Sequence, residues 1–268
     1  MACEVDNGDE RVAGKYCSTY APYTSASKVL PSYWVDRYER EAAKQWDLFY
    51  MRNEDRFFKD RHYLQAEWSE LKPSEAPTPA SGQAAETTTG LEASENAGES
   101  EFGEQLRLEE MESEFARRGD GATGRLVLLE AGCGVGNTAF PLLRAHPKLF
   151  VYAFDFSSTA VRIVQAHPLH AEGRIRAAVG DLTSGSLPDA ISDCQADIAT
   201  LMFVLSAISV AQMPAALRTV HAGVRDGGIV LFRDYAHGDG AQQRFISRGA
   251  RQLDDQGRFF VRQDGTRA

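Results

Sequence analysis

A glycine-rich stretch followed by an aspartate is the part of this sequence best suited to bind a ligand. An apolar run at 126–129 ends in Glu130, and glycines then alternate with other residues at Gly132, Gly134 and Gly136. Such glycines let the backbone turn sharply and let a ligand approach without meeting a Cβ atom. Asp155 ends a second apolar run, where a doubly wound sheet places the carboxylate that binds a ribose. The pattern predicts a nucleoside cofactor at the carboxyl ends of adjacent parallel strands.

The spacing of the glycines indicates which nucleoside cofactor the loop is suited to bind. Dinucleotide sites use G-x-G-x-x-G, whereas this chain has G-x-G-x-G with Glu130 two residues upstream. The stretch resembles the first motif of class I S-adenosylmethionine-dependent methyltransferases. An acid at the mouth of the loop suits a cationic sulfonium and would repel a diphosphate. The alternative is an ordinary strand-to-helix turn, but Asp155, together with Asp181 after a third apolar run, favours the cofactor.

Composition and cysteine usage narrow the class of protein. A chain of 268 residues with 43% hydrophobic content can bury one substantial core and carry appendages. Its apolar runs fall short of the roughly 20 residues that span a bilayer, and 1–10 lacks the apolar region of a secretory signal. The four cysteines are scattered, and the histidines lack metal-ligand spacing. We therefore expect a cytoplasmic protein, present also in the nucleus, with no metal and no membrane contact.

The negative charge is concentrated in one segment. Residues 73–118 carry eleven acids and three bases, which accounts for most of the net charge of −9, and residues 233–268 have seven Arg against five Asp. The segment is rich in Pro, Ser, Thr, Ala and Gly and cannot bury enough apolar surface to order itself. The expected organisation is a flexible N-terminus, a helical aromatic and basic segment, a disordered acidic linker and a methyltransferase domain, at 1–30, 31–72, 73–104 and 105–268.

Apolar periodicity beyond the linker predicts the fold. Residues Phe102, Leu106, Met111 and Phe115 roughly follow a helical stripe. From Arg125 onward, strands alternate with helices, as expected for an open α/β sheet of parallel strands with right-handed crossovers. Strands are predicted at 125–130, 150–154, 174–179, 197–205 and 229–232. Helices are predicted at 137–146, 158–167 and 210–224. The fold class is therefore α/β, a Rossmann-like methyltransferase sheet with a helical N-terminal extension and a disordered acidic insertion.

Several stretches beyond the glycine loop resemble one particular family. The aromatic and basic sequence of 46–62 is unusual for methyltransferases in general. The same chain also contains Leu231-Phe232-Arg233-Asp234-Tyr235 and Phe259-Phe260-Val261-Arg262-Gln263-Asp264-Gly265-Thr266-Arg267. Together with Asp155-Phe156-Ser157 and 203–207, these stretches look like the methyltransferase-like family that makes 3-methylcytidine in tRNA. The resemblance runs from about Tyr33 to Arg267, interrupted by the linker. It implies that the substrate is the cytidine preceding the U-turn of the anticodon loop in certain tRNAs.

The resemblance also implies roles for individual residues. Those expected to cover or line the S-adenosylmethionine pocket, in addition to Glu130 and Gly134 of the loop, are Trp46, Tyr50, Gly132, Asp155, Asp181, Leu182 and Met202. Those expected to face RNA are Arg52, Lys59, Arg61, Arg262, Asp264 and Arg267. Those expected beside the target base, as catalytic residues, are Arg233, Asp234 and Tyr235.

The residue types suit this chemistry independently. Bases splayed from a single-stranded loop stack on aromatic rings and on Arg planes. An N3 atom that attacks a sulfonium methyl needs in-line placement and little acid–base help, so positioning should dominate catalysis. A carboxylate that accepts a hydrogen bond from the exocyclic amine would orient the ring and stabilise the developing cation. Asp234, directly after the fifth predicted strand, is the candidate.

The C-terminal end departs from the family pattern. The run 259–262 predicts a strand, and Asp264-Gly265 is a strong hairpin turn signal. We expect the returning strand and two edge strands to be missing, as in a truncated chain with little activity, because the sequence ends at Ala268. Two other functions remain open: a non-catalytic RNA-binding subunit with the same fold, and a small-molecule methyltransferase. An accessory protein such as an aminoacyl-tRNA synthetase is a further candidate partner besides tRNA.

Overall fold

A parallel five-stranded sheet forms the centre of the computed structural model, which describes residues 29–72 and 125–268. The strands are β1 (Leu126–Ala131), β2 (Leu149–Asp155), β3 (Ile175–Val179), β4 (Ala196–Met202) and β5 (Val224–Arg233). They lie in the order β3-β2-β1-β4-β5. The predicted flexible N-terminus as far as residue 28, the acidic linker and the helical stripe after it lie outside the described residues.

The order of the strands reverses beside β1. This strand pairs with β2 on one side, with Leu128 opposite Val151, and with β4 on the other, with Leu128 opposite Ile198. Ligands in such sheets bind outside the carboxyl ends of the strands at this switch point. The central strands are covered on both faces, as all-parallel sheets require, and all seven residues of β4 are buried.

Helices pack on both faces of the sheet. In chain order after the first strand they are α4 (Ala139–Ala145), α5 (Ser158–Ala166), α6 (Pro168–Ala171) and α7 (Met213–Ala222). The α5 helix begins at a serine cap, because the Ser157 hydroxyl accepts a hydrogen bond from the Ala160 N–H. The α7 helix has a proline in its first turn and buries Ala216 and Val220 against the sheet.

The five predicted strands and three predicted helices of the α/β part are all present, so the Rossmann-like class is confirmed. Two strand boundaries differ clearly from the prediction: β5 begins at Val224, five residues before the predicted 229, and β4 stops at Met202, three residues before the predicted 205. The following residue, Phe203, has φ of 62°. A bulky residue in this left-handed region is a real outlier, and the extended conformation cannot pass through it.

The two ends of the described chain pack against each other. The N-terminal part forms α1 (Ser32–Arg40), α2 (Ala42–Asn53) and α3 (Leu64–Glu67). The C-terminal part forms α8 (Gly240–Ser247), β6 (Arg251–Gln252) and β7 (Phe260–Val261). The Leu30 N–H donates to the Gln252 carbonyl at 3.0 Å, and Arg251 donates to the Tyr38 hydroxyl at 2.9 Å.

The prediction of an unreturned hairpin at the C-terminus is wrong. The Phe260 N–H donates to the Ala268 carbonyl at 2.8 Å, and the Ala268 N–H donates back to Phe260 at 3.0 Å. A further bond joins the Arg262 N–H to Thr266 at 2.9 Å. The turn closes tightly because Gly265 has φ of 86° and the Asp264 carboxylate accepts the Thr266 N–H. Residues 266–268 therefore return along β7.

Within residues 29–72 and 125–268, none of the helices is both long and apolar enough to cross a membrane.

Candidate functional site

A cleft opens at the carboxyl ends of β1, β2, β3 and β4, at the switch point of the sheet. It holds about 590 Å³ of empty space, its open mouth included. Its lining residues come from α2, the glycine loop and the strand ends: Trp46, Tyr50, Gly132, Phe154, Asp155, Phe156, Gly180, Asp181, Leu182, Thr183, Phe203, Val204, Ala207 and Ile208.

The glycine loop is tied to the neighbouring strand end. The N–H groups of Gly132 and Cys133 both donate to the Phe154 carbonyl, at 2.9 and 3.0 Å. Gly132 has φ of 70°, and a Cβ atom there would lie 2.7 Å from the Val204 side chain. Glycine is therefore required at this position both for the backbone conformation and for space beside the cleft.

Asp155 sits at the centre of the cleft and holds its shape. One carboxylate oxygen accepts the Gly134 N–H and the other accepts the Ser157 N–H, both at 2.9 Å. Burial raises the pKa of Asp155 to about 6, although the bonds from Ser157 and Gly134 lower it. An ionised carboxylate has about four acceptor positions, so each oxygen can also accept a hydroxyl proton. A ribose diol, which has two hydroxyl groups to donate, fits these free acceptor positions.

An apolar slot lies beside Asp155. Leu182 is buried at the end of the β3 loop, and Phe156 and Ile208 line the same cleft. The exposed Asp181 uses one oxygen to accept from the Thr183 N–H and hydroxyl, at 2.8 and 2.7 Å. Flat apolar walls with a carboxylate at the rim suit a purine that carries an exocyclic amine.

The α2 helix covers the cleft with two aromatic residues. Trp46 and Tyr50 are both buried, and their rings are stacked with centroids 5.8 Å apart. The Tyr50 hydroxyl lies so close to the loop that a Cβ atom on Gly134 would be 2.6 Å from it. Burial raises the pKa of Tyr50, so its hydroxyl stays protonated. Aromatic faces of this kind attract a cationic group.

Three of the nine predicted cofactor residues do not line the cleft: Glu130, Gly134 and Met202. Gly134 supports the site through Asp155, and Met202 packs in the core. The expectation that Glu130 stands at the mouth of the loop is corrected. Its side chain is 1% exposed and one oxygen accepts the Ala139 N–H of α4 at 3.0 Å, because the end of β1 directs it beneath the loop. Burial raises the pKa of Glu130 to about 7.

A second group of aromatic and cationic side chains adjoins the cleft. The Phe203 ring lies 5.1 Å from the Tyr235 ring, and the Arg61 guanidinium lies 5.5 Å from the Phe203 centroid. Asp234 follows β5, and its carboxylate accepts the Ser206 N–H at 3.0 Å. Asp234 and Tyr235 therefore adjoin residues of the cleft, and their placement beside the target base stays a prediction. Arg233, however, is paired with Glu67 and lies over Tyr63.

The six predicted RNA-facing residues divide into three kinds. Arg52 and Lys59 are exposed. Arg61 is half-buried and donates to the Thr138 hydroxyl at 2.8 Å, and Arg262 lies 5.2 Å from the Trp46 centroid. The outward positions expected for Asp264 and Arg267 are corrected, because the closed hairpin turns their side chains inward. Asp264 accepts from Thr266, and Arg267 is 5% exposed and paired with Glu39.

Phe203 is a site residue that the sequence assignment missed. It lines the cleft, and so do Phe156, Thr183 and Ile208, none of which had been assigned a role. Phe203 directly follows β4 in the structure, whereas the predicted strand runs to residue 205 and places Phe203 inside it. The rule that identified Asp155 and Asp181, namely position at the carboxyl end of a parallel strand, applies equally to it. The described ranges contain no group of three or more His, Cys, Asp or Glu side chains that could hold a metal ion.

Comparison with known proteins identifies relatives across most of the chain. The family model described as "Methyltransferase domain" matches residues 129–230. The fission yeast tRNA N(3)-methylcytidine methyltransferase trm141 is 34% identical over 237 residues, covering 88% of this chain and 77% of that protein. The zebrafish tRNA N(3)-cytidine methyltransferase METTL2 is 37% identical, covering 90% and 64%. O-methyltransferase 3 of Dictyostelium discoideum is 32% identical, covering 86% and 60%.

The chain therefore spans between three fifths and about three quarters of these relatives' lengths. The identity with trm141 extends beyond the 129–230 range of the general methyltransferase model, since it covers 88% of the chain. It thus includes segments on one or both sides of that range, where α2 and the C-terminal hairpin form part of the site. The chain belongs to the tRNA N(3)-methylcytidine methyltransferase family.

Proposed function

We propose that this protein transfers a methyl group from S-adenosylmethionine to N3 of a cytidine in the anticodon loop of tRNA. One observation carries the proposal. Phe203, held at φ of 62°, lines the cofactor cleft and at the same time contacts Tyr235 and Arg61. Strained backbone of this kind persists where the surroundings over-determine it, commonly at functional sites. The ring is therefore the border between a cofactor cleft and a place for a base.

The cleft fits S-adenosylmethionine part by part. Asp155 can accept the ribose hydroxyls, Leu182 and Phe156 can enclose the adenine, and the stacked rings of Trp46 and Tyr50 suit a positive charge. When bound, the cofactor supplies a methyl group on a cationic sulfur. The chain's own contribution is to orient the two reactants and to exclude water.

The base side of the site suits a flipped cytosine. Phe203 and Tyr235 offer ring faces, and Arg61 offers a planar cation, the surfaces on which unstacked RNA bases pack. Methylation at N3 leaves a positive charge on the ring. The Asp234 carboxylate, held by the Ser206 N–H, can accept from the N4 amine and stabilise that charge.

The RNA backbone has its own candidate surface. Arg52 is on the last turn of α2 and Lys59 is in the loop that follows, and both side chains are exposed. Exposed cations suit phosphate binding, which positions an RNA without reading its sequence. A small-molecule substrate would not need this surface, which argues against the alternative of a small-molecule methyltransferase.

The test is nucleoside mass spectrometry of tRNA incubated with the purified protein and S-adenosylmethionine. We expect 3-methylcytidine, and we expect Asp155→Ala and Phe203→Ala to remove it. A tRNA with uridine at the target position is the substrate control. A second arm adds an aminoacyl-tRNA synthetase, the proposed accessory partner. Methylation at another atom, or none in either arm while the protein remains folded, would refute the proposal.

A further inference from the structure

A single carboxylate on α2 caps a helix of the α/β part. Asp47 lies next to Trp46 in sequence, and its side chain reaches the N-terminal end of α5. There it accepts hydrogen bonds from the Ser157 hydroxyl at 2.5 Å, the Thr159 N–H at 3.0 Å and the Ser158 hydroxyl at 3.3 Å. The first N–H groups of a helix have no partner inside the helix. Asp47 therefore acts as a cap supplied by another segment of the chain.

The charge of Asp47 suits this position. Burial raises the pKa of its carboxyl, but the bonds from Ser157, Thr159 and Ser158 outweigh it, so the pKa lies below its usual range. The carboxylate is thus ionised at neutral pH, and it faces the positive end of the α5 dipole. Hydrogen bonds to an ionised acceptor are stronger than those between neutral groups.

The same cap touches the cofactor cleft. The Ser157 hydroxyl donates to Asp47, and the Ser157 N–H donates to the Asp155 carboxylate at 2.9 Å. One serine therefore joins the acid at the centre of the cleft to the helix that covers it. Trp46 precedes Asp47 directly, and Tyr50 follows it by about one helical turn, so a shift of Asp47 would move both aromatic residues.

We propose that Asp47 is a positioning residue that seats α2 on the methyltransferase sheet, so that Trp46 and Tyr50 close over the cofactor. The inference rests on the proposed function and names the residue that couples cofactor binding to RNA binding. Arg52, which faces RNA in that proposal, is on the last turn of the same helix. Bound RNA and bound cofactor then favour the same seated position of α2, and each raises the affinity of the other by an equal factor.

The experiment is calorimetric titration of the full chain with S-adenosylhomocysteine, with and without an anticodon stem-loop RNA. Asp47→Ala should weaken binding of this probe about tenfold, because only the seated fraction of the protein binds well. Asp47→Asn should recover most of the affinity, since an amide oxygen still accepts and its NH₂ group can donate to Ser158. RNA should tighten binding of the probe by a larger factor in Asp47→Ala than in the parent, because the variant has the smaller seated fraction for RNA to raise.

Glu41→Ala is the matched control. Glu41 begins the same helical segment, but its side-chain bonds are local, to Arg37 at 3.0 Å and Gln45 at 3.4 Å. We expect its affinity for the probe to stay within twofold of the parent. Thermal unfolding of each variant accompanies the titrations. Should Asp47→Ala not fold, Ser158→Ala in the Asp47→Asn background gives the same comparison with a smaller expected loss.

The outcomes separate the two proposals. If both Asp47 variants bind the probe like the parent, or if Glu41→Ala weakens binding as much as Asp47→Ala, the role of Asp47 is refuted. If the folded parent does not bind S-adenosylhomocysteine, the proposed function fails, and this inference fails with it. Weakening in Asp47→Ala alone, with recovery in Asp47→Asn, supports the positioning role.

Discussion

The guanidinium of Arg262 lies 5.2 Å from the centre of the Trp46 ring, so the C-terminal hairpin contacts the aromatic residue that covers the cofactor cleft. Arg262 also donates to the Arg267 carbonyl at 3.3 Å, which links the cation to the returning strand. Both ends of the described chain therefore meet at one tryptophan.

Arg262→Ala should weaken cofactor binding by about 1 kcal/mol, roughly fivefold, because the Trp46 ring loses a cation that helps to hold it. Arg262→Lys should recover part of the loss, since it keeps the charge but not the planar group. The measurement is the dissociation constant of S-adenosylhomocysteine. Arg258→Ala is the control, because Arg258 is exposed and pairs with Asp254. Equal affinities in Arg262→Ala and the parent would contradict the contact.

Gly134→Ala should destabilise the protein and weaken cofactor binding, because the new methyl group would lie 2.6 Å from the Tyr50 hydroxyl. Tyr50→Phe in the same chain should restore part of both, since the next nearest atom of the ring is 3.4 Å away. Gly173→Ala measures the cost of the left-handed backbone conformation separately from the cost of the clash. Gly173 has φ of 71° with nothing within 4 Å, so it reports the roughly 1–2 kcal/mol of the left-handed conformation alone. No recovery in the double variant would show that the clash is not with the hydroxyl.

Glu130 should make the cofactor-free protein less stable as the pH rises. Burial raises the pKa of this carboxyl from 4.5 to about 7. The folded state therefore binds a proton more tightly than the unfolded state. The resulting stabilisation is fully present below pH 4.5 and is lost as the pH rises through 7.

Urea unfolding of the parent and of Glu130→Gln at pH 5 and pH 8 measures this effect. We expect the free energy of unfolding of the parent to fall by up to about 3 kcal/mol more than that of the variant. Glu54→Gln, at an exposed carboxyl, should behave like the parent. Identical pH dependence of the parent and Glu130→Gln would show that the buried carboxyl does not titrate in this range.

Arg52→Ala combined with Lys59→Ala should reduce the salt dependence of tRNA binding without changing cofactor affinity. Each lost phosphate contact should lower the slope of log K against log salt by about 0.7 to 0.9. Arg61→Ala should act differently, because Arg61 is held by Thr138 and lies over Phe203. Arg61→Ala should lower the methylation rate by a larger factor than it lowers the slope of log K against log salt. Fluorescence anisotropy at several salt concentrations tests both, and an unchanged slope in the double variant would refute the phosphate role.

Local sequence signals were sufficient for the sheet and for the centre of the cleft. Apolar runs of strand length alternating with helical periodicity predicted the α/β order, because parallel strands must be joined by crossovers. Asp155 and Asp181 were identified because the carboxyl ends of such strands meet at one edge. The aromatic and basic sequence of 46–62 indicated the family.

Tertiary structure alone decided how the remaining residues are used. Glu130 was read as an acid facing the ligand, but the end of β1 buries it under the loop. Arg267 was read as facing RNA, but the closed hairpin places it against Glu39. Phe203 has no role predicted from the sequence, but its φ of 62° brings the ring to the border of the cleft. Sequence periodicity determines which segments form strands and helices, whereas the direction of a side chain at their ends depends on hydrogen bonds and packing between segments far apart in the chain.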